Sequence, residues 1–149
     1  MIKKILVPTD GSKTAEKAVH YAAELAHQAG ASVMILAVID TSYFAASTVS
    51  SGVTPTRMKE TVEDVLRQAA EAYTEKAEQV CRKRGVRSRK IIRPGHPVEK
   101  IVKEAEKSKA DLIVMGSHGK SALKAAVLGS TTYGVIHKHT KVPVLVVRR

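Results

Sequence analysis

The 149-residue chain is predicted to fold as a single doubly wound α/β domain over residues 1–149, a five-stranded parallel sheet in the order 3-2-1-4-5 with helices on both faces. Three observations predict it. Short apolar runs alternate with longer segments of helical period, five of the former with four of the latter. The runs read as apolar on both faces, as strands covered from both sides do. Right-handed crossovers between near neighbours then leave few strand orders, and 3-2-1-4-5 reverses direction between strands one and four.

Each element has its own justification. Ile5-Leu6-Val7 is a buried strand ended by the turn Pro8-Thr9-Asp10-Gly11. Ser12 caps a helix whose apolar stripe (Ala15, Ala18, Val19, Ala22, Ala23, Leu25, Ala26) stops at Gly30. Val33 to Ile39 is strand two. Residues 41–56 form a Ser-, Thr-, Ala- and Gly-rich stretch without period, longer than a connection needs, as functional loops often are. From Arg57 to Arg84 apolar positions keep helical spacing, and Gly85 ends the pattern. Ser88 to Ile92 is strand three, Pro94-Gly95 a turn, and Pro97 opens a helix carrying Val98, Ile101, Val102 and Ala105. Asp111 to Met115 is strand four, Gly129 to His139 the last helix, and Pro143 to Val147 strand five.

Composition bounds the function. The hydrophobic content of 44% suits a globular core, and no apolar run approaches the ~18 residues of a membrane span. Without a basic-then-apolar leader the expected location is the cytoplasm. A lone cysteine, Cys81, on an apolar helix stripe is expected to be a buried structural thiol. The net charge of +11 raises nucleic-acid binding, but aromatic residues are 3% of the chain, too few to stack single strands. A solvated basic surface is the expectation, with nucleic acid unlikely as a partner.

The stretch VMGSHGKSALKAAVLGSTTYG, residues 114–134, carries the chemistry. Its Gly119-Lys120-Ser121 imitates the end of a P-loop, but the required first glycine falls on Val114. Gly116 and Gly119 permit close approach of backbone N–H groups to an anion. Gly129-Ser130-Thr131-Thr132 stands at a helix start, where free N–H groups, the helix dipole and hydroxyls favour phosphate. The sheet reversal places both turns, with Pro8-Thr9-Asp10-Gly11 and Met115, outside the carboxyl ends of the strands, where such folds bind ligands. Lys120 and Lys124 are either phosphate contacts or solvated charges.

Gly116-x2-Gly119-x9-Gly129-Ser130 matches the G-x2-G-x9-G-(S/T) motif of the universal stress protein family, and the whole chain resembles it. KKILVPTDGS at the start, VID after strand two, MGSHGKS and the final VPVLVV are also similar. With every motif position filled, the chain resembles the ATP-binding branch. The resemblance implies a Rossmann-like, adenine nucleotide α-hydrolase-like fold that binds ATP with Mg²⁺ or Mn²⁺. It places Asp10 near the phosphates or their metal, Val38 at adenine through its backbone, and Pro8, Thr9 and Met115 along the wall. Gly116, Gly119, Gly129, Ser130, Thr131 and Thr132 would hold ribose and phosphates.

The residues themselves leave alternatives. Asp10 beside polyphosphate needs a bridging cation, or else simply forms the turn. Asp40 is positioned to reach a ribose hydroxyl. His118 lies within the glycine loop but has no paired nucleophile, and His137 and His139 lack further metal ligands. Positioned groups for efficient hydrolysis are missing, so slow turnover is the most expected.

The primary expectation is therefore a nucleotide-dependent stress regulator, read by a protein partner whose identity is unknown. An adenylating enzyme of related architecture would need a Ser-Gly-Gly-x-Asp-Ser or His-x-Gly-His motif, and neither occurs. Residues 142–147, apolar on both faces at a sheet edge, call for a partner and predict a homodimer.

Overall fold

The computed structural model describes residues 1–40, 42, 55–119, 128–138 and 140–148, with side chains of the helical residues 55–60 left aside. Its elements are β1 (Lys4–Pro8), α1 (Lys13–Ala29), β2 (Ser32–Ile39), α2 (Pro55–Lys83), β3 (Ser88–Pro94), α3 (Pro97–Lys107), β4 (Leu112–Gly116), α4 (Ser130–His137) and β5 (Val144–Val147). All pairings are parallel, and the order is β3-β2-β1-β4-β5, as the sequence predicts.

Strand periodicity divides the core in two. Ile5, Val7, Val33, Ile35, Leu112 and Val114 face one way, under the alanine stripe of α1 and Ala77 and Cys81 of α2. Leu6, Met34, Leu36, Ile113 and Met115 face the other, under Ile101, Val102 and Ala105 of α3 and Val135 of α4. Small side chains at Ala15, Ala18, Ala22, Ala23 and Ala26 let α1 lie close against the central strands.

The helix ends follow their local chemistry. Ser12 Oγ accepts from the Ala15 amide at 3.2 Å, and Gly30 closes α1 in the left-handed conformation, φ 69°. Gly85 takes φ 70° after α2, which begins two residues earlier than the periodicity predicts. The last helix ends at His137 rather than His139, and residue 139 lies outside the described residues.

One expectation is corrected. The third strand is not apolar on both faces: Arg89, Lys90 and Arg93 are exposed, and only Ile91 is buried. The physical reason is position, because β3 is an edge strand, and outward lysine and arginine discourage pairing with another chain.

The Asp111 carboxylate joins the amino ends of β4 and β1, accepting from the Lys3 and Lys4 amides at 2.9 and 3.0 Å, which hold its pKa below the usual carboxylate range. Cys81 is fully buried, and burial pushes its thiol pKa up. A thiol reagent at neutral pH is therefore expected to label Cys81 only at the rate of unfolding; stoichiometric labelling within seconds of mixing with folded protein would contradict this burial.

Candidate functional site

The β1–β4 ladder is short. Only Ile5↔Leu112 and Leu6↔Ile113 are paired, whereas β1 stays paired with β2 as far as Pro8↔Leu36. Beyond Leu6 the two central strands part on the carboxyl side, at the reversal of strand order. A cavity of about 450 Å³ occupies the opening.

All eleven residues anticipated from the sequence line it. Pro8, Thr9 and Asp10 come from the end of β1, Val38 from β2, and Met115, Gly116 and Gly119 from β4 and its turn. Gly129, Ser130, Thr131 and Thr132 enter with the start of α4. Lys120, Ser121, Lys124 and most of the 41–56 stretch lie outside the described residues.

The structure adds residues that sequence reasoning missed. His96, Pro97, Val98 and Ile101 bring the amino end of α3 to the wall, with Leu36 and Ala15 from neighbouring elements. Their signal was available: Pro97 marks a helix start immediately after a strand end, which is where this sheet type collects ligand contacts. Asp40 and His118, weighed separately from the sequence, also line the cavity.

Close approach, rather than left-handed backbone, explains the three motif glycines, none of which has positive φ. A Cβ on Gly116 would sit 2.8 Å from Thr14 Cγ2 and 3.0 Å from the Thr14 backbone of α1. One on Gly119 would lie 2.5 Å from Asp10 Oδ2, and one on Gly129 would press to 3.2 Å from His118 Cα. The glycines therefore let three chain segments converge, a role beside the expected approach of N–H groups to an anion.

Two hydrogen bonds fasten that convergence. The Gly129 amide donates to the Ser117 carbonyl at 2.7 Å, and the buried Thr132 hydroxyl donates to the Gly116 carbonyl at 2.8 Å. Ser130 and Thr131 line the wall, while the Thr132 hydroxyl joins α4 to β4.

Three helices begin at this cavity, and their amino ends differ. In α1 the Ser12 side chain caps the Ala15 amide, and Asp10 Oδ1 accepts from the Ser12 amide at 2.9 Å. The first residue of α3 is Pro97, which has no N–H. The cap of α4 is Gly129, with no side chain to bond the first amides. Neither α3 nor α4 has a side-chain cap, and α4, without a proline at its start, keeps one more N–H donor for an anion.

Asp10 holds the turn through Oδ1 and places Oδ2 against Gly119. It also acts on α2: the Tyr73 hydroxyl is pushed up to about 12, chiefly by burial and then by the Asp10 charge. On the opposite side, Ser117 Oγ and His118 Nδ1 are 2.9 Å apart in a buried pair. No group of three or more His, Cys, Asp or Glu stands ready for a metal among the described residues, so the side chains described here would hold a cation only jointly with a ligand.

A fold of this topology, with a strand-splay cavity faced by an uncapped helix start, defines a nucleotide-binding-type α/β domain. The Universal stress protein family model matches residues 1–148, and the chain belongs to that family. It is 39% identical to Universal stress protein MJ0577 of Methanocaldococcus jannaschii, over all of this chain and 96% of that protein. It is 35% identical to Universal stress protein MJ0531 of the same organism, over all of this chain and 84% of that protein. The solved structure of MJ0577 superimposes with a TM-score of 0.85 at 38% identity, covering 100% of this chain and 97% of that one. Two more distant structures share the fold at 24% identity: a universal stress protein in complex with cAMP (TM-score 0.72, 99% of this chain and 97% of that one), and the Archaeoglobus fulgidus protein in complex with dAMP (0.71, 99% of each).

Two outcomes are expected. Gly116→Ala forces β4 away from Thr14 and should lower unfolding free energy by about 1–3 kcal/mol in urea melts, the usual cost of overpacking; an unchanged midpoint would show that the contact yields freely. Since the Tyr73 pKa rises from 10.0 to about 12 on folding, the unfolded chain loses this proton first and stability should decline between those pH values. Absorbance titration near 295 nm should show one high-pH tyrosine step, absent from Tyr73→Phe.

Proposed function

We propose that this protein binds ATP in the cavity between β1 and β4 and acts as a nucleotide-dependent stress regulator. The open amino end of α4 carries the reading. Its first residues, Ser130, Thr131 and Thr132, line the cavity at the end of a helix whose positive dipole end favours phosphate. Leu36, Val38, Val98, Ile101 and Met115 supply apolar wall for a base. The nucleotide complexes of the two distant relatives support the same ligand class. Hydrogen bonds to charged phosphate contribute about 1.5–3 kcal/mol each, so a few reach the roughly −8 kcal/mol of a micromolar complex after ordering costs.

Asp10, on the β1 side of the cavity, repels polyphosphate unless a cation bridges them. In this reading Mg²⁺ or Mn²⁺ arrives with the nucleotide and neutralises phosphate charge, and Asp10 is its protein ligand. The residues fit that limited role: one Asp10 oxygen is committed to the turn, and the other faces the glycine loop. Hydrolysis is proposed to be at most slow: Ser117 Oγ and His118 Nδ1 pair with each other at 2.9 Å, and in this reading the buried pair supports the glycine turn rather than activating a water at the γ-phosphate.

The regulator is proposed to work as a single unit over residues 1–149 in the cytoplasm, where a lone buried thiol suits a reducing environment. It is proposed to pair with a second copy through residues 142–147. Edge strand β5 is partly exposed at all four positions, and α4 beside it exposes Tyr133 and Ile136. No helix among the described residues is long and apolar enough to cross a membrane.

Mass spectrometry of small molecules released from purified protein is expected to find adenine nucleotide, and Gly129→Val, which crowds the 117–119 backbone, should lose it while remaining folded by circular dichroism. A wild-type protein that neither carries nor binds adenine nucleotide would overturn the assignment. Light scattering at micromolar concentration should give twice the monomer mass; a monomer removes the edge-strand pairing.

A further inference from the structure

Leu36, Val38 and Asp40 alternate along β2 and its end, and all three line the cavity. Leu36 is buried, Val38 half-buried and Asp40 exposed, so the row climbs from apolar floor to charged rim. Across the rim, the Gly95 amide donates to the Ile39 carbonyl at 2.9 Å, which draws His96 and the start of α3 alongside Asp40.

The carboxylate is oriented. Its Oδ1 accepts from the Ser42 amide at 3.0 Å and from the Ser42 hydroxyl at 2.6 Å. Among the described residues nothing donates to Oδ2. An ionised carboxylate only accepts hydrogen bonds, so its remaining oxygen selects a donor.

What reaches it follows from the cavity's electrical polarity. Phosphate is drawn to α4, at the β4 side. At the β2 side the Asp40 carboxylate opposes it, and the α3 start there, though uncapped, lacks the donor that Pro97 removes. The carboxyl ends of β2 and β4 flank β1, and because β1 and β4 part there they stand farther apart than the roughly 10 Å of two paired-strand spacings. A nucleotide with its phosphates at α4 then lays its base along Val38 and presents the base's edge to the Asp40 rim.

We infer that Asp40 is a specificity residue that reads this edge, accepting a hydrogen bond from an exocyclic amine and rejecting an exocyclic carbonyl in the same position. The inference rests on the nucleotide reading above. A carbonyl there would set two acceptors against each other, leaving both without a donor, and an aminopurine avoids that conflict.

Calorimetric titration with ATP, ITP and inorganic tripolyphosphate tests it, because ITP carries a carbonyl in place of the exocyclic amine and an N1–H donor in place of the N1 acceptor, with sugar and phosphates unchanged. Wild type should prefer ATP over ITP by about tenfold or more, as sites built around a hydrogen-bonding partner do. Asp40→Ala should bring the ratio below about threefold while tripolyphosphate affinity is unchanged or higher. Asp40→Asn, whose amide also donates, should improve ITP relative to wild type. An ATP-to-ITP ratio that survives Asp40→Ala overturns the inference and leaves base reading to the β2 backbone. Equal loss of ATP and ITP also overturns it, by moving the contact to the sugar. Failure of folded wild type to bind ATP at all removes the nucleotide reading as well, a result distinct from the other two.

Discussion

The junction of α4 with the end of β4 is the constraint from which the rest of the site follows. Two short hydrogen bonds, Gly129 amide to Ser117 carbonyl and Thr132 hydroxyl to Gly116 carbonyl, set the start of a helix against the end of a central strand. Buried polar groups that find each other in this way are costly to separate, because each would lose its partner away from water. The junction therefore holds the amino end of α4 over the opening between β1 and β4. Without it, the glycine-rich turns would be two unrelated loops.

That junction explains why side chains are absent where they are. Gly116 touches α1, Gly119 touches Asp10, and Gly129 touches the backbone of residues 117–119. Each glycine removes a Cβ from a contact between protein segments, and the cavity is the space those contacts leave. The helix starts around it then differ in the donors that remain: α1 is capped by Ser12, α3 is uncapped but lacks the Pro97 donor, and α4 is uncapped under Gly129. The site has a direction, with the α4 start at one end and the Asp40 carboxylate at the other.

Much of this was legible in the residues, for identifiable reasons. Buried strands such as Ile5-Leu6-Val7 and the capped helix from Ser12 to Gly30 announce themselves through local pattern, and parallel topology follows from their alternation. Pro8, Thr9, Asp10, Met115, Gly116 and Gly119 could be brought together because the strand reversal converts order along the chain into position in space, Gly129 to Thr132 joined them as a helix start, and Val38 came only with the family resemblance. Less legible was whatever depends on a particular distance. That Thr132 spends its hydroxyl on Gly116, or that Gly119 is needed by Asp10, is a matter of ångströms. The contribution of His96 and Val98 was hidden because α3 is remote from the glycine motif in sequence. The edge character of β3 was written in Arg89, Lys90 and Arg93, yet the expectation of a uniformly apolar sheet obscured it.

The central position of β1 bears on how the protein comes into being on the ribosome. Its first neighbour, β2, follows within a few dozen residues, but its second is β4, where Ile5 meets Leu112. The first strand made must wait through most of translation with one edge unpaired. Such late closure slows folding and leaves an apolar edge open to other nascent chains. The site inherits the delay, since its open helix start is made later still. A bound ligand stabilises only the finished domain and has nothing to select until α4 has been made.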